Sequence, residues 1–524
     1  MNGGAVPKLR VGILDLVARA PTRALWASVV HPSFSSIMPQ AIAAWCERAG
    51  HDVTFVCYTG LENLIEELPS DLDLLFVGAF TQAGQLSYAI SNMFQQRGCV
   101  TVLGGPHARC YPEDARKYFD YVVGFTDQDI VARILEDCCA QRPYGEYLAA
   151  SRQPQHLPGV RERWKYIEPT IMKSLTRIKG VPMIGSLGCP YTCSFCIDAT
   201  VPYQPMDYDE IREDLRFLVN KMPEAWVAWH DPNFGVRFDD YMGVIDDAVP
   251  PGTLTFAAES SLSLLSEDRV RRLGAANFKL MLPGIESWYG FGNKAKTGRK
   301  TGLDKMEQVS DHVNMVLEHI PYVQANFVIG LDDDEGAEPF ELTKKFLYRT
   351  PGAFPGYSLL SCFGEAAPLN IDVQRSGRVR PFPFHFLNNS QAMNVEPKNY
   401  EWATFYDHLI DLCEYSFSLR TMARRFRATP PLFAKGLNVV RTISTEGYGR
   451  IKYHKTIRRM LGEDRHVRDF FEGGTDEVPP FYVDRVRREL GPLWEYLPEG
   501  ALNHDQNAFV KKIDRARVEE PAPI

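Results

Sequence analysis

Three cysteines lie close together in this 524-residue chain, at the spacing C-x3-C-x2-C: Cys189, Cys193 and Cys196. They follow an apolar run, residues 181–187, that predicts a strand, and Gly188 and Pro190 predict a turn out of it. Three thiolates on one loop can bind three corners of a cubic iron–sulfur cluster, and such clusters usually take four cysteines. No fourth cysteine follows nearby, so one iron would stay open to a small-molecule ligand.

Three other interpretations of these cysteines remain open. A structural zinc site normally has four ligands, often as two well-separated pairs. A disulfide is typical of exported chains, and we expect no export because the N-terminus shows no signal-peptide pattern. Buried apolar cysteines are common, but that role gives no reason for the clustering. The spacing favours the open cluster over these alternatives.

Composition sets bounds on the function. The chain is 45% hydrophobic and 24% charged, which is ordinary for a soluble globular protein, and its length predicts two to four domains. The net charge of −8 gives no reason to expect a nucleic-acid partner. Eleven cysteines favour a reducing cytoplasm and a metal site over a disulfide framework. No apolar run is long enough to predict a membrane-spanning helix.

Residues 1–145 alternate short apolar runs with helical stretches, which predicts a doubly wound parallel sheet. Ligands of such sheets bind beyond the carboxyl ends of the strands. Two loops there draw attention, one with Gly78 and Thr81 and the other with Gly104, Gly105 and Pro106, since glycine lets a backbone approach a ligand closely. Taken alone, the second loop is explained better by a turn from strand to helix than by a ligand-binding role. No G-x-G-x-x-G is present, which disfavours a dinucleotide.

Residues 146–178 predict a linker, and residues 179–375 alternate again, in about six strand–helix units. That pattern predicts a partial, open (β/α)6 version of a TIM-like barrel, whose chemistry lies at the C-terminal ends of its strands. Polar residues do follow the predicted strands: Asp231, Asn233, Glu259, Ser260, Gly284, Glu286, Ser287 and Gly330. Each one alone is equally a turn or helix cap. The basic stretch 293–302 lacks Walker spacing, and we interpret it as structural or substrate-adjacent.

Residues 376–524 predict a mainly helical region. Its proline- and aromatic-rich segment 381–389 is either a pocket lining or a packing segment. Between Arg420 and Arg459 eleven basic residues face one acid, Glu446. A solvated helix face is the usual explanation. An anionic partner is the alternative: a lipid surface, a phosphorylated substrate, or an acidic electron carrier.

With aromatic Phe195 before the last cysteine, the cysteine motif resembles that of the radical S-adenosylmethionine superfamily. Three downstream segments resemble that family's segments in the same order: Asp231-Pro232-Asn233-Phe234, Gly284-Ile285-Glu286-Ser287 and Asn326 to Leu331. The resemblance implies a [4Fe–4S] cluster on Cys189, Cys193 and Cys196. Its open iron would bind the amino and carboxylate groups of S-adenosylmethionine, and its electron would cleave that molecule to a 5′-deoxyadenosyl radical. The strand-end residues and Phe195 would surround the S-adenosylmethionine, with carboxylates suited to its cationic groups and ribose hydroxyls.

Residues 8–145 resemble the cobalamin-binding domain of one branch of that family, above all over residues 102–107 and 111–113. This implies a cobalamin contact at Thr81, Gly104, Gly105 and Pro106. Two features depart from the family. The cobalt-ligating D-x-H-x-x-G pattern is missing from residues 16–21, and Ala79 stands where a serine is usual. That branch often lacks the lower histidine ligand, so the sequence is compatible with a bound corrinoid and with a domain that has lost it.

The resemblance thus predicts a cobalamin-dependent enzyme that methylates an unactivated carbon in a secondary metabolite, lipid or peptide. A reducing electron carrier such as flavodoxin or ferredoxin is the expected partner, in the cytoplasm, and peripheral membrane contact through residues 420–459 is a further expectation. Two alternatives stand beside it. One is a radical oxidative cyclisation or rearrangement without methyl transfer, and the other is a non-enzymatic corrinoid- or redox-sensing protein.

Overall fold

The computed structural model describes residues 7–22, 32–138 and 144–519. Its first sheet is parallel, with six strands in the order β2-β1-β3-β4-β5-β6. These strands are β1 (Arg10–Leu16), β2 (Asp52–Tyr58), β3 (Leu74–Ala79), β4 (Val100–Gly104), β5 (Tyr121–Val123) and β6 (Glu146–Leu148). β1 is buried from Val11 to Leu16, because a parallel sheet covered on both faces takes apolar residues on both.

Helices cover both faces of this first sheet, as its alternating sequence predicts. They are α1 (Ile37–Arg48), α2 (Leu64–Glu67), α3 (Gly84–Gln95), α4 (Pro106–Cys110), α5 (Pro112–Ala115) and α6 (Gln128–Asp137). On one face Val11 and Phe76 share an apolar cluster with Trp45 of α1. On the other, Leu14 and Val77 share a cluster with Ile90 of α3. The sheet is therefore doubly wound, and its carboxyl edge is left for loops.

The segment predicted as a linker is more ordered than its composition indicates. Its first residues form β6, which pairs with β5 through Val122 and Tyr147. Residues Val160–Lys173 then form the helix α7, which packs on α1 through the Arg163 guanidinium bound to Gln40 Oε1 at 2.6 Å. Proline-rich composition at 152–158 indicated a loop, but the apolar stripe of α7, with buried Trp164, Ile167 and Ile171, outweighs it.

The second sheet is also parallel, with its six strands in the order β14-β13-β12-β11-β10-β7. They are β7 (Gly180–Met183), β10 (Trp226–Trp229), β11 (Thr255–Ser261), β12 (Phe278–Glu286), β13 (Tyr322–Ile329) and β14 (Ala353–Leu359), and a short antiparallel ladder joins β8 (Ser186–Leu187) to β9 (Gln204–Pro205). Among the described residues, the outer strands β7 and β14 do not pair with each other. The sheet is the partial barrel that the sequence predicts.

Helices follow the strands of the second sheet: α8 (Tyr208–Lys221), α9 (Phe238–Ala248), α10 (Glu267–Ala275), α11 (Gly292–Ala295), α12 (Gly302–His319), α13 (Glu338–Arg349) and α14 (Leu369–Arg375). The C-terminal region is helical, as expected: α15 (Trp402–Ser416), α16 (Leu419–Ala428), α17 (Leu432–Ile443), α18 (Tyr448–Glu463), α19 (Arg465–Phe471), α20 (Pro480–Leu490) and α21 (Ala508–Glu519). Within the described ranges, no helix combines the length and hydropathy that crossing a bilayer requires.

Loops at the carboxyl ends of the two sheets contact each other directly. Arg109, which follows β4, donates to the carbonyl oxygen of Ile197 in the cysteine loop at 3.1 Å. Glu365, beyond the end of β14, donates its backbone N–H to the carbonyl oxygen of Cys110 at 2.9 Å. A third contact joins the Tyr111 hydroxyl to the carbonyl oxygen of Cys362 at 3.1 Å. The ligand-binding edges that parallel sheets offer are therefore brought together.

Candidate functional site

The cysteine loop leaves β8 at Gly188, which has a φ of +68°. A Cβ there would overlap the carbonyl oxygens of Val201 and Pro202, so only glycine fits. Beyond it, Cys196 donates its N–H to the carbonyl oxygen of Cys193 at 3.0 Å. Leu369 at the start of α14 donates its N–H to the carbonyl oxygen of Ser194 at 2.9 Å. The loop is thus fixed at both sides by backbone contacts, while its three thiols are partly exposed.

The donor set of this loop fits an iron–sulfur cluster. All three cysteines are free thiols, which removes the disulfide interpretation. In the described part of the chain, no group of three or more His, Cys, Asp or Glu side chains is arranged to hold a single metal ion. A cubic cluster differs because each thiolate binds its own corner, so the sulfur atoms need not converge on one ion. Burial raises the pKa of Cys196 to about 11, so a bound metal must draw off its proton.

An ion pair between Glu286 and Lys294 lies beside the cysteine loop. Glu286 ends β12 with a φ of +68°, and its buried carboxylate accepts from the Lys294 Nζ. Burial opposes the charged form of Lys294, but the Glu286 carboxylate outweighs it and raises the pKa of Lys294. The Lys294 ammonium lies 6.0 Å from the centre of the Phe195 ring, and Cys193 and Cys196 stabilise its charge.

Glycine at 284 makes room for this ion pair, because a Cβ at that position would overlap the Glu286 carboxylate. Glu259, near the end of β11, faces the space beside this ion pair and interacts electrostatically with both Lys294 and Glu286. The structure therefore brings three predicted residues, Gly284, Glu286 and Glu259, next to the cysteines. It adds Lys294, which the sequence analysis passed over. The available signal was the basic stretch that follows β12.

Asp231, Asn233 and Ser260 form a second, buried group at the ends of β10 and β11. The Asp231 carboxylate accepts from the Gly185 N–H at 2.9 Å and from the Ser186 hydroxyl at 2.7 Å. Burial raises the pKa of Asp231 to about 6, and these hydrogen bonds oppose the shift. Asn233 Oδ1 accepts from the Ser260 hydroxyl at 3.3 Å. Their hydrogen bonds stay within the protein, so this group holds the strand ends in place.

Ser287 and Gly330 lie further along the carboxyl edge of the second sheet, and their contacts are with other parts of the protein. The Ser287 hydroxyl accepts from the Tyr289 N–H at 3.0 Å, and the Lys305 Nζ donates to the Ser287 carbonyl oxygen at 2.5 Å. Gly330 has a φ of +89°, and a Cβ there would lie 2.9 Å from the Met393 Sδ. Among the described residues, no hydrogen bond joins either of them to the side chains of the Glu286–Lys294 pair.

The first sheet carries an apolar cavity of about 190 Å³ at its carboxyl edge. Gly104, Gly105 and Pro106 line it, as do Phe76 and Val102, whereas Thr81 is buried away from it. Gly105 has a φ of +88°, and a Cβ there would lie 2.9 Å from the Ala79 carbonyl oxygen. The left-handed backbone and this close approach both require glycine.

Among the described residues that line this cavity, Asp15 is the one with a carboxyl group. Asp15 is the penultimate residue of β1 and is 2% exposed. Its carboxylate accepts hydrogen bonds from the Ser36 N–H at 2.5 Å and from the Ser36 hydroxyl at 2.9 Å. Burial raises the pKa of Asp15 to about 6, and the bonds from Ser36 oppose the shift. The cavity can therefore bind a bulky apolar group, with a titratable carboxyl at one end.

Comparison with known proteins gives matches along most of the chain. No protein-family model matches it. Bacteriochlorophyllide d C-12(1)-methyltransferase of Chlorobaculum tepidum is 21% identical over 449 residues, which cover 82% of this chain and 94% of that protein.

Two solved structures share the fold. OxsB, a cobalamin-dependent S-adenosylmethionine radical enzyme solved with aqua-cobalamin and S-adenosylmethionine, matches with a TM-score of 0.53 and 12% identity over 98% of this chain and 84% of that one. TsrM, a radical S-adenosylmethionine methyltransferase from Kitasatospora setae solved with tryptophan and an S-adenosylmethionine analogue, matches with a TM-score of 0.50 and 14% identity, over 97% and 100% of the two chains. These matches show that the chain shares its fold with both structures and is similar over most of its length to a methyltransferase.

Proposed function

We propose that this protein is a radical S-adenosylmethionine enzyme that methylates an unactivated carbon of a small molecule, lipid or peptide with the help of cobalamin. One observation carries the proposal. The cysteine loop with its Glu286–Lys294 pair, and the glycine-lined apolar cavity, lie at carboxyl edges that touch through Arg109 and Ile197. The similarity to a methyltransferase over 82% of this chain supports methyl transfer as the outcome.

Cys189, Cys193 and Cys196 would hold the [4Fe–4S] cluster, which supplies the electron that cleaves S-adenosylmethionine. Lys294 places a positive charge beside Cys193 and Cys196, where it offsets the negative charge of bound thiolates. The same ammonium suits the carboxylate of S-adenosylmethionine, because charge-assisted hydrogen bonds are the strong ones. Glu259 and Glu286 suit its cationic groups and its ribose hydroxyls.

The cavity of the first sheet would hold part of the cobalamin, which supplies the methyl group for transfer. Gly104, Gly105 and Pro106 let the backbone approach a bulky group without side chains in between. The apolar lining excludes water from that side. The Arg109 contact to the cysteine loop would keep the two halves of the site at a fixed separation.

An electron donor and a compartment complete the proposal. A reduced flavodoxin or ferredoxin in the cytoplasm suits free thiols that must stay reduced. Part of the basic stretch 420–459 is available for an acidic partner or a membrane surface. Its other members bind within the protein: Arg425 is buried, and Arg441, Lys455 and Arg458 pair with carboxylates.

The test is anaerobic reconstitution of the wild-type protein and of Cys193→Ala with iron, sulfide and hydroxocobalamin, followed by desalting. We expect the wild type to retain iron, sulfide and corrinoid and to form 5′-deoxyadenosine from S-adenosylmethionine, and Cys193→Ala to retain corrinoid alone. A cluster without corrinoid would overturn cobalamin chemistry and favour cyclisation or rearrangement. Equal iron content in both proteins would overturn the enzyme proposal itself.

A further inference from the structure

A second, polar cavity lies between the C-terminal helices and the two sheets, with a volume of about 590 Å³. Four parts of the chain line it: the loop after β1, the segment 388–391, the start of α18, and α20. It shares no lining residue with the apolar cavity of the first sheet. None of the three cluster cysteines lines it either.

The lining of this polar cavity has a surplus of positive charge. Five cationic side chains face it together with two carboxylates, Glu446 and Glu489; the cations are Arg19, Arg450, Lys452, Arg485 and Arg488. The carboxylates are already paired. Arg441 Nε donates to Glu446 at 2.7 Å, and Arg485 Nε donates to Glu489 at 2.8 Å.

The remaining cations bind neutral groups or face solvent. Arg19 donates to Gln391 Oε1 at 2.8 Å, and Arg450 donates to the carbonyl oxygen of Tyr357 at 2.9 Å. Lys452 and Arg488 are exposed. Across the described ranges no carboxylate forms an ion pair with any of these four. In a chain with net charge −8, such a local surplus is unexpected, and like charges held together cost free energy unless an anion joins them.

The backbone adds to the positive potential. Helix α18 begins at Tyr448, and residues 445, 446 and 449 at its start line the cavity. The helix has no side-chain cap and no acidic residue in its first turn. A helix N-terminus carries a partial positive charge that favours anions. This partial charge has the same sign as the arginine and lysine side chains of the lining, so it adds to their attraction for an anion.

The cavity also has an apolar side. Tyr453 and Phe481 contribute to the lining, and the Arg485 guanidinium lies 5.4 Å from the centre of the Tyr453 ring. A ligand that combines an aromatic or aliphatic body with an anionic group therefore fits this surface better than a small inorganic ion.

Position links this cavity to the reaction. β14 is the outer strand of the second sheet, and Arg450 reaches a carbonyl oxygen of that strand. Leu359, at the carboxyl end of β14, donates its N–H to the Asn389 carbonyl oxygen at 2.6 Å. Arg19 follows β1 at the carboxyl edge of the first sheet. The cavity therefore lies next to the carboxyl ends of β1 and β14, one strand from each sheet.

We propose that this cavity binds the anionic group, a carboxylate or a phosphate ester, of an amphipathic substrate whose carbon is methylated. The inference rests on the proposed function, because it names the substrate class for the same reaction. Arg19 and Arg450 would form the inner wall for the anion. Lys452 and Arg488 would form its outer, exposed rim.

The test measures binding of three aromatic probes to the reconstituted protein by isothermal titration calorimetry: 1-naphthoate, 1-naphthyl phosphate and uncharged 1-naphthamide. The pocket variant is Lys452→Gln with Arg488→Gln. The control is Arg420→Gln with Arg427→Gln, which removes the same net charge from exposed positions outside the cavity. A rescue variant, Lys452→Arg with Arg488→Lys, keeps the charge.

We expect an anionic probe to bind the wild type and to lose affinity by about tenfold or more in the pocket variant, since two charge-assisted contacts are removed. The control and rescue variants should stay within about twofold, and the amide should bind weakly to all. The tighter of the two anions identifies the group. Equal affinity in the pocket and control variants, or equal affinity for the amide, would overturn the cavity as an anion site.

A parallel assay of the wild type for 5′-deoxyadenosine separates this inference from the proposed function. Cleavage of S-adenosylmethionine without anion binding would refute the cavity and leave the proposed function standing. Anion binding without cleavage would refute the proposed function, and with it the substrate role of the cavity.

Discussion

Both parallel sheets have six strands, yet their carboxyl edges present different chemical groups. The first edge offers glycine backbone, apolar side chains and one buried carboxyl group, Asp15. The second offers three thiols, the Glu286–Lys294 ion pair and a buried network around Asp231. Two six-stranded parallel sheets of different strand order therefore support recognition by shape on one side and by charge on the other.

This difference indicates how one site can hold two unlike cofactors. A large group is best held by an apolar cavity, where burial of area supplies the free energy. A small, charged molecule is best held by fixed charges in a partly desolvated space. Under the proposed function, loops that join the two edges, as Arg109 does with Ile197, would bring both groups to one substrate.

The largest effect is expected at the charged edge. Cys196→Ala should lower bound iron to background and abolish 5′-deoxyadenosine formation, because a cluster held by two thiolates is not retained. Iron assay and product chromatography after reconstitution measure both. Cys46→Ala, in a buried position of α1, is the control and should keep wild-type iron. Equal loss in the two variants would refute the comparison between the edges.

The second largest effect is expected at the Glu286–Lys294 ion pair. Lys294→Gln should weaken S-adenosylmethionine binding by at least about tenfold, because truncating one partner of a buried charge pair costs about 2 to 5 kcal/mol. Equilibrium dialysis with labelled S-adenosylmethionine measures this. Lys300→Gln, at an exposed position of the same basic stretch, should bind normally. If both variants bind alike, charge recognition does not reside in Lys294.

The shape of the first edge is tested with two glycines. Gly105 and Gly98 both have positive φ, +88° and +85°, but a Cβ meets the Ala79 carbonyl only at Gly105 and meets nothing at Gly98. Backbone strain should cost each alanine variant about 1 to 2 kcal/mol of unfolding free energy, and Gly105→Ala should lose more because its Cβ would also overlap the Ala79 carbonyl oxygen. Only Gly105→Ala should also release corrinoid on desalting. Corrinoid loss in both would trace the effect to stability alone.

The smallest effect concerns Asp15. Burial raises its pKa to about 6, above the value of about 4 for an unfolded carboxyl group. The folded protein therefore binds a proton as the pH falls through 6, and the wild type gains stability relative to Asp15→Asn between pH 7 and pH 5. We expect about 1 to 2 kcal/mol in the difference of unfolding free energies from urea titrations. If the difference in unfolding free energy does not change with pH, the pKa of Asp15 is not raised by burial in the folded protein.

Local patterns in the sequence predicted much of the fold. Alternation of apolar runs and helical stretches predicted both parallel sheets. The run 181–187 was expected as one strand but forms β7 and β8, since the chain turns away near Gly185 to carry the cysteine loop. In the segment expected as a linker, α7 forms because its apolar stripe packs on the first sheet's helices.

The spacing of Cys189, Cys193 and Cys196 by itself determined which atoms could bind a cluster, because neighbours in sequence stay neighbours in space. The tertiary structure alone decided that Lys294 pairs with Glu286 beside those thiols. It also decided that Arg19 and Arg450, 431 residues apart in numbering, line one cavity. The reason is physical: contacts between distant residues depend on strand order and on helix packing, which no local pattern of residues encodes.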